Sequence, residues 1–403
     1  MLDAIEFSKY TKKEDIYGTV MYPAVMVGPV QKLLITQVLE NKTEARIIDP
    51  FHGSGTALYE AFEINPDFEL YGIDINPFAN LITRAKLQGV DENIINDIEF
   101  IKSNLFDQAF QYSLVDFNNI TKWFRMDIIN DLSKIRCAIM QVKSSKNRAY
   151  FWSMMSNIIR KYSNSRSSTY KLHIKPQEKI NNMKNNVIND FIASIEQNYR
   201  YYQKSSNRFK LFKSDTLYEL DKFPDNYFEI LITSPPYGDN ATTVTYGQFS
   251  IIILYWIDKK DLVLDGWEFD NFSKIDHESL GGYYKNNRLE KYDKYINNTI
   301  ERIHDVKKIK KVQTFFYDYF TFLSTAYRVV QSYIILTLGN RTVNGINIEL
   351  TDFTKRFLDD CGMNLIYEGK RNIYSKRTPK ILANNNGSPI FSMNEEYAVI
   401  FKK

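Results

Sequence analysis

The fold of this 403-residue chain is decided by the run Ala45-Arg46-Ile47-Ile48-Asp49-Pro50-Phe51-His52-Gly53-Ser54-Gly55-Thr56. Residues 45–48 predict a short strand, the glycine-rich stretch predicts a turn, and residues 57–64 predict a helix that ends before Pro66. Two glycines one residue apart let the backbone pass close to a ligand and present its N–H groups, as nucleotide-binding strand-turn-helix units do. A carboxylate at Asp49 argues against a pyrophosphate there and favours a cationic ligand.

A second strand supports this interpretation. Residues 69–73 are strand-like and are followed by Asp74, which lies 19 residues past Gly55, about where an acidic residue binds ribose hydroxyls. A Rossmann dehydrogenase with a nicotinamide cofactor is the alternative, and it is disfavoured because Leu58 stands where a third glycine is required. The two motifs, in this order, predict a site for a nucleoside cofactor.

The second decisive stretch is the turn Thr233-Ser234-Pro235-Pro236-Tyr237-Gly238, which follows an apolar, strand-like run at residues 228–232. The prolines fix φ and remove N–H donors, so they end the strand and free its carbonyls for a partner outside the sheet. The Ser234 hydroxyl and the Tyr237 ring complete a pocket for a planar amine, such as that of a flipped nucleobase. The alternative is an edge strand that ends at prolines beside a packed tyrosine.

Together these stretches resemble the motifs of S-adenosylmethionine-dependent DNA amino-methyltransferases, the N4-cytosine and N6-adenine family of restriction-modification systems that carries Ser-Pro-Pro-Tyr. The resemblance covers about residues 17–90 and 209–403. It implies S-adenosylmethionine as the cofactor and a class I methyltransferase fold, which is a Rossmann-like, doubly wound α/β sheet. The cofactor contacts that it implies are Tyr22, Pro23, Asp49, Pro50, Phe51, Gly53, Ser54, Gly55, Thr56, Asp74, Ile75 and Asp215.

Two of these assignments have alternatives. The family places an acidic or polar residue against the adenine amine of the cofactor, and Asp215 fits because it ends the predicted strand at residues 209–215. Asn104, which ends a run at residues 100–103, is the alternative for that role. The segment that begins with Tyr22 is similar to the one that the family places against the methionine end of the cofactor, and an ordinary helix cap is its alternative.

The resemblance implies that catalysis rests on Ser234, Pro235, Pro236 and Tyr237. Hydrogen bonds from an exocyclic amine to Ser234 and to a carbonyl of the turn would localise the nitrogen lone pair, while Tyr237 stacks on the base. Methylation of a ring carbon instead needs a cysteine, which the carbon-methylating relatives place after a proline. Cys137 follows Arg136 and Cys361 follows Asp360. Transfer to a ring carbon is therefore disfavoured.

Position 234 also bears on the target base. Serine there resembles the cytosine-N4 group, whereas adenine-N6 enzymes more often carry Asp or Asn. The resemblance therefore implies a site-specific DNA methyltransferase that acts on N4 of cytosine in duplex DNA by base flipping. An N6-adenine enzyme, an RNA methyltransferase and a non-catalytic, methyltransferase-like DNA-binding subunit remain as alternatives.

Basic charge is concentrated in one segment. Residues 121–210 hold 18 Lys and Arg against 5 Asp and Glu, a net charge of +13, so the remainder of the chain carries −9. Helical spacing at residues 120–142 and 180–202 predicts an inserted, mainly helical region, and its charge favours a polyanionic partner. A solvated, lysine-rich insertion is the alternative. The predicted DNA contacts are Arg160, Lys161, Arg166, Lys171 and Lys175.

These patterns predict three regions. They are a cofactor-binding half at residues 1–106, a helical insertion for DNA recognition at residues 107–207, and a catalytic half at residues 208–403. Within the catalytic half, residues 239–250 and 266–290 predict loops that act as a lid or separate the DNA strands.

The composition is that of an ordinary globular protein, with 44% hydrophobic and 25% charged residues. The two distant cysteines predict neither a disulfide framework nor a zinc site. The N-terminus lacks the pattern of a signal peptide, and no apolar run approaches about 18 residues, so we expect a cytoplasmic protein that does not enter a membrane. Double-stranded DNA is the expected partner, and a cognate restriction endonuclease stays open as a second one.

Overall fold

The protein is built on a seven-stranded sheet in a computed structural model. The structure describes residues 10–11, 15–39, 42–238, 245–266, 274–279, 290–343, 346–372, 381–382, 390–391 and 395–403. The strands are β1 (Arg46–Asp49), β2 (Glu69–Ile73), β3 (Phe209–Phe212), β4 (Phe228–Thr233), β5 (Val330–Leu338), β6 (Asn364–Asn372) and β7 (Glu395–Lys402). Their spatial order is 3-2-1-4-5-7-6. Neighbours among β1 to β5 are parallel, whereas β7 is antiparallel to both β5 and β6.

This order confirms the expected Rossmann-like, doubly wound α/β sheet. The α-helices are α1 (Gly28–Leu39), α2 (Thr56–Ile64), α3 (Pro77–Gln88), α4 (Ile94–Phe106), α5 (Ile120–Trp123), α6 (Met126–Gln141), α7 (Ser145–Tyr162), α8 (Gln177–Asn181), α9 (Val187–Asn198), α10 (Thr216–Leu220), α11 (Tyr246–Leu254), α12 (Lys259–Leu262), α13 (Ile275–Glu278), α14 (Asp293–Ile300), α15 (Val306–Val329) and α16 (Leu350–Asp360). Short 3-10 helices lie at Ile16–Gly18, Tyr199–Tyr202, Val263–Asp265 and Glu290–Tyr292. Two small antiparallel ribbons pair Arg341–Val343 with Ile346–Ile348 and Ile381–Leu382 with Ile390–Phe391.

The sheet divides the interior into two cores because side chains alternate between its faces. On β1, Ile47 belongs to one core and Ile48 to the other, and Ile230 and Leu231 divide in the same way on β4. The first core, here called the insertion face, includes residues of α1 to α3, α6, α7, α9 and α11. The second, here called the α15 face, includes residues of α10 and α14 to α16. The inserted helices therefore share one continuous core with the sheet.

The insertion is helical, as the spacing at residues 120–142 and 180–202 predicts. Before the insertion, residues 100–103 lie within α4 because Ile94, Ile98, Ile101 and Leu105 form a buried stripe with helical spacing. In α7, Trp152 is fully buried and its Nε1 donates to Asp261 Oδ2 at 2.7 Å. A buried side chain thus ties the insertion to the segment that follows α11. The division of the chain at residues 106 and 207 stays a prediction.

Candidate active site

Both decisive turns begin at the same edge of the sheet. β1 and β4 are parallel neighbours, with Ile47 opposite Ile230, yet the chain leaves β1 towards β2 and leaves β4 towards β5. A crevice forms where the strand order reverses in this way, and ligands bind there at the carboxyl ends of the strands. The last residue of β4, Thr233, donates its hydroxyl to Asp49 Oδ1 at 2.6 Å. The structure therefore places two turns side by side, which we name by their predicted roles: the cofactor turn at residues 49–56 and the catalytic turn at residues 233–238.

Asp49 is fully buried at the end of β1. One carboxylate oxygen also accepts from the Phe51 N–H at 3.1 Å, whereas Oδ2 has no hydrogen-bond partner among the described residues. Burial raises the pKa of Asp49 to about 6, and the hydrogen bond from Thr233 opposes that rise. A buried carboxylate with an unmatched oxygen is a site that a cationic group would complete.

The glycines of the cofactor turn meet backbone requirements. Gly53 and Gly55 have φ values of 50° and 75°, which favour glycine. A Cβ on Gly55 would also lie 2.5 Å from the Thr83 side chain, so a larger residue would push α3 away from the turn. His52 is buried, with Nε2 3.1 Å from Asn80 Oδ1, and it supports the turn from inside.

Asp74 fastens this turn to the end of β2. Its carboxylate accepts from the Gly53 N–H at 2.9 Å and from the Asn76 N–H at 2.8 Å. Burial raises its pKa, and His52 is the strongest opposing influence. Each carboxylate oxygen can accept more than one hydrogen bond, so Asp74 retains capacity for a ligand hydroxyl.

Asn76, which was not among the predicted site residues, joins the cofactor turn to the segment after the catalytic turn. Its Nδ2 donates to Tyr22 OH at 3.2 Å and to Ser250 Oγ, in α11, at 2.9 Å. A Cβ on Gly53 would touch the Tyr22 ring at 3.4 Å, so this predicted tyrosine lies against the turn. In the structure Asn76 is the N-cap of α3, and an asparagine directly before a proline is the sequence feature that could have indicated it.

The other predicted cofactor residues belong to the same turn or adjoin Tyr22 and Asp74 in the chain. The Pro50 carbonyl accepts from Thr216 Oγ1 at 2.5 Å, and the Phe51 ring packs edge-on against Phe322 with centroids 5.1 Å apart. The hydroxyls of Ser54 and Thr56 lie 3.3 Å apart in the interior. Pro23 is buried and Ile75 is half-buried.

Asp215 and its alternative lie in different surroundings. Asp215 is exposed just beyond β3 and caps α10 by accepting from the Tyr218 N–H at 3.0 Å. It stands at the sheet edge next to Asp74, since β3 pairs with β2. Asn104 instead lies in α4, which packs on α6 and α9. Asn104 therefore lies in a helix and not at the end of a sheet strand, and the adenine contact stays a prediction for Asp215 with Asn104 as its alternative.

The catalytic turn is held by a chain of hydrogen bonds. Ser234 Oγ lies 2.9 Å from Tyr237 OH, which donates to the Thr337 carbonyl at 3.3 Å. The buried Gln31 in turn donates to Thr337 Oγ1 at 3.3 Å. Burial raises the pKa of Tyr237 well above its usual value, so the phenol stays neutral. When Tyr237 donates to Thr337, Ser234 donates to Tyr237 and keeps its own lone pairs for an incoming amine.

Arg341 holds the far end of the turn, and it was not predicted. Its guanidinium donates to the Gly238 carbonyl and lies over the Phe315 ring, 5.1 Å from the centroid. Gly238 has a φ of 83°, and a Cβ there would lie 2.9 Å from the Phe315 ring. Arg341 is 7% exposed. The sequence feature that could have indicated Arg341 is a polar residue shortly after the apolar β5.

The basic loop forms a hairpin beside this site. Ser165 and Ile174 make an antiparallel bridge, and the Lys175 N–H donates to the Asn164 carbonyl at 2.7 Å. We call residues 163–175 the basic hairpin. Its Leu172 N–H donates to Gln248 Oε1 at 3.3 Å, which anchors the hairpin to α11. The hairpin therefore lies next to the segment that follows the catalytic turn.

The five predicted DNA contacts differ in exposure. Arg160 is only 6% exposed and stacks over Phe249 at 4.8 Å, so it supports the base of the hairpin. Lys175 is half-buried and donates to the Ser163 carbonyl at 2.6 Å. Lys161 is exposed but pairs with Asp190. Arg166 is exposed and Lys171 is partly exposed. The last two are placed best for a phosphate or a base edge.

The loops predicted as lids lie mostly outside the described residues. Residues 239–244, 267–273 and 280–289 are among those that the structure does not describe. Residues 245–250 are described, and from Tyr246 onwards they are helical and form the start of α11. Asp276 accepts from the Gly247 N–H at 2.6 Å and from the Gln248 N–H at 2.8 Å, which caps this helix.

The sequence of the chain is similar to that of a known methyltransferase. The chain is 27% identical over 431 aligned positions to the type II methyltransferase M.MvaI of Kocuria varians, covering 98% of this chain and 93% of that protein. No protein-family model matches the chain. No solved structure matches it either. Within the described residues, no helix is both long enough and apolar enough to cross a membrane.

Proposed function

We propose that this protein is a site-specific DNA methyltransferase that transfers a methyl group from S-adenosylmethionine to N4 of cytosine in duplex DNA. The observation that carries the proposal is the contact between Thr233 and Asp49, which joins the two decisive turns at the crevice of the sheet. Similarity to a type II methyltransferase along nearly the whole chain supports methyl transfer. The acceptor base is inferred from Ser234 and its surroundings.

The donor set fits the proposed cofactor. Asp49 has a buried, unmatched oxygen suited to the amino group of the methionine part. Asp74 retains acceptor capacity suited to ribose hydroxyls, and Asp215 at the neighbouring strand end is suited to the adenine amine. When bound, S-adenosylmethionine supplies an electrophilic methyl group on a sulfonium.

The catalytic turn would act mainly by orienting the acceptor amine. The lone pair of an exocyclic amine is delocalised into the ring, so the amine is a poor nucleophile until hydrogen bonds draw it towards tetrahedral geometry. Ser234 Oγ and a carbonyl of the Pro235-Pro236 segment are the acceptors for its two hydrogens. The neutral Tyr237 keeps Ser234 in place through their 2.9 Å contact. Positioning of this kind supplies most of the rate when the protein forms no covalent bond.

The decisive experiment identifies the methylated nucleoside. Unmethylated plasmid DNA is incubated with the protein and S-adenosylmethionine, digested to nucleosides and analysed by mass spectrometry, with Ser234→Ala as the control. We expect N4-methylcytosine with the wild type and a strong reduction with the control. N6-methyladenine would overturn the assignment of the base while leaving the methyltransferase in place.

A parallel assay with tritiated cofactor separates the remaining alternatives. Label in RNA and none in DNA would identify an RNA methyltransferase. Cofactor and DNA binding without any transfer would identify a non-catalytic subunit.

A further inference from the structure

Four lysines cluster at the start of α15, outside the basic segment of the insertion. Lys307, Lys308, Lys310 and Lys311 are all exposed. Around a helix, at about 100° per residue, these positions span an arc of about 160°. Ile309 and Val312 lie outside that arc and pack towards the α15 face. We call the four lysines the lysine rim.

The lysine rim lies at the edge of the sheet that carries the catalytic turn. α15 has 24 residues and runs directly into β5. A helix of that length spans about 36 Å. β5 has nine residues and spans about 30 Å. Because the helix runs back along the sheet before β5 begins, its first turns extend past the carboxyl ends of the strands.

A close approach of two residues sets the distance from the rim to the turn. Phe315 of α15 lies so close to Gly238 that a Cβ there would sit 2.9 Å from its ring. Lys311 is one helical turn before Phe315 and Lys307 is two turns before it, which places them about 6 Å and 12 Å further along the axis. The lysines therefore border the catalytic turn.

The rim and the basic hairpin flank the turn from opposite sides of the sheet. Tyr170 of the hairpin packs on the insertion face, whereas Ile309 of α15 packs on the α15 face. Residues 301–311 contain five Lys and Arg against two Asp and Glu, and Lys308 of the rim lies 3.9 Å from the Asp305 carboxylate. One of the acids, Asp305, caps the helix by accepting from the Lys307 N–H at 2.9 Å.

We infer that the lysine rim is a second DNA-binding surface, which contacts backbone phosphates across the catalytic turn from the basic hairpin. The inference rests on the proposed function, because it takes duplex DNA as the substrate. A row of phosphates attracts flexible, exposed ammonium groups, and each phosphate neutralised releases counterions. The hairpin and the rim would then hold the two sides of the duplex while the turn receives the flipped base.

The test is a salt titration of duplex DNA binding with a matched control. The rim variant replaces Lys307, Lys308, Lys310 and Lys311 with Gln. The control variant replaces four exposed lysines at the opposite edge of the sheet with Gln, namely Lys42, Lys204, Lys222 and Lys402. Both variants remove the same charge. We expect the slope of log affinity against log salt to become shallower by about 0.9 for each phosphate that the rim variant no longer neutralises, and to stay unchanged in the control.

A charge-preserving variant and an activity assay complete the design. Lys→Arg at the four rim positions should keep the wild-type slope, and a shallower slope in that variant would overturn a role for charge. A wild-type slope in the Lys→Gln rim variant, together with methylation by the wild-type protein, would overturn the rim and leave the proposed function intact. Absence of both methylation and DNA binding in the wild type would overturn the proposed function and the rim together.

Discussion

Asp49 carries its charge at a cost to the folded protein. The side chain is fully buried, and the hydrogen bonds from Thr233 and Phe51 both reach the same oxygen. Burial raises the pKa of Asp49 from 3.8 to about 6, so its carboxyl group binds a proton more tightly in the folded chain than in the unfolded chain. A cationic ligand beside Oδ2 would remove the disadvantage. Residues of this kind are common where a site favours binding over stability.

Asp49→Asn should therefore stabilise the protein without added cofactor and weaken cofactor binding. Between about pH 4 and pH 6 Asp49 binds more protons in the native state than in the unfolded state, so its contribution to the free energy of unfolding falls as pH rises and then levels off. The variant lacks this decrease and should gain about 1–3 kcal/mol at pH 8 and little near pH 4. Thermal unfolding at both pH values and calorimetry of the cofactor measure the two effects. A variant that is less stable at pH 8 would contradict the cost assigned to Asp49.

Substitutions at the catalytic turn should separate hydrogen bonding from stacking. Ser234→Ala removes the acceptor for the amine and should reduce methylation about 100-fold, the decrease expected when a reacting group is misplaced. Tyr237→Phe retains the ring and should lose less activity than Tyr237→Ala. Cofactor affinity should change little in all three, because these side chains face the base. Equal rates for Tyr237→Ala and the wild type would remove the stacking role.

At the scale of elements, the position of the basic hairpin is as important for the predicted DNA binding as its charge. Arg160, in the last turn of α7, is buried beside the hairpin, whereas Arg166 within the hairpin is exposed. Two contacts with α11 set the position of the hairpin. The Leu172 N–H donates to Gln248 Oε1 at 3.3 Å, and the Tyr170 ring packs against Phe249 with centroids 6.0 Å apart. A change at the exposed end should act on DNA, whereas a change at the buried end should act on folding.

Replacing Arg166 and Lys171 with Ala should weaken DNA binding and make its salt dependence shallower by up to about 0.9 for each residue. The matched control replaces Lys179 and Lys184, which are exposed in the insertion but lie outside the hairpin. Fluorescence anisotropy across a salt series measures both pairs. Equal slopes for the two double variants would show that the hairpin has no special part in binding. Arg160→Ala should instead lower the melting temperature.

At the scale of the whole molecule, the insertion and the sheet share one core, so we expect them to unfold as one cooperative unit. Asp261 is the point where they meet, since it is 2% exposed and accepts from Trp152 and from Arg148 at 2.8 Å. α7, which carries both donors, packs on α3 next to the cofactor turn. The insertion, which carries the predicted DNA contacts, thus shares a core with the sheet that carries the predicted catalytic turn.

Asp261→Ala should destabilise the whole chain. It leaves the Arg148 guanidinium without its buried partner, and such changes cost about 3–5 kcal/mol. Far-ultraviolet circular dichroism reports all helices, while near-ultraviolet signals report buried aromatic residues such as Trp152. Both transitions should shift together to lower temperature. A shift confined to one probe would indicate two independent units.

The sequence predicts the local motifs because these depend on interactions between residues that are close together in the chain. Glycine is needed where φ is positive, as at Gly53 and Gly55, and consecutive prolines end a strand wherever they occur. The apolar runs of β1, β2 and β4 alternate with helices, and that alternation predicts a parallel, doubly wound sheet. These features led to the fold and to a candidate site in two halves.

Only the tertiary structure determines which residues from distant parts of the chain lie next to each other. Asn104 stood in the sequence as an alternative to Asp215, but the fold places it in α4, packed on α6 and α9, and leaves Asp215 beyond the end of β3 beside Asp74. Total charge pointed to the insertion, whereas the fold buries Arg160 and brings four lysines of α15 to the catalytic edge. Asn76, Arg341 and the contact between Thr233 and Asp49 join positions up to 184 residues apart. Such contacts depend on chain topology, because loop closure brings together residues that no local pattern relates.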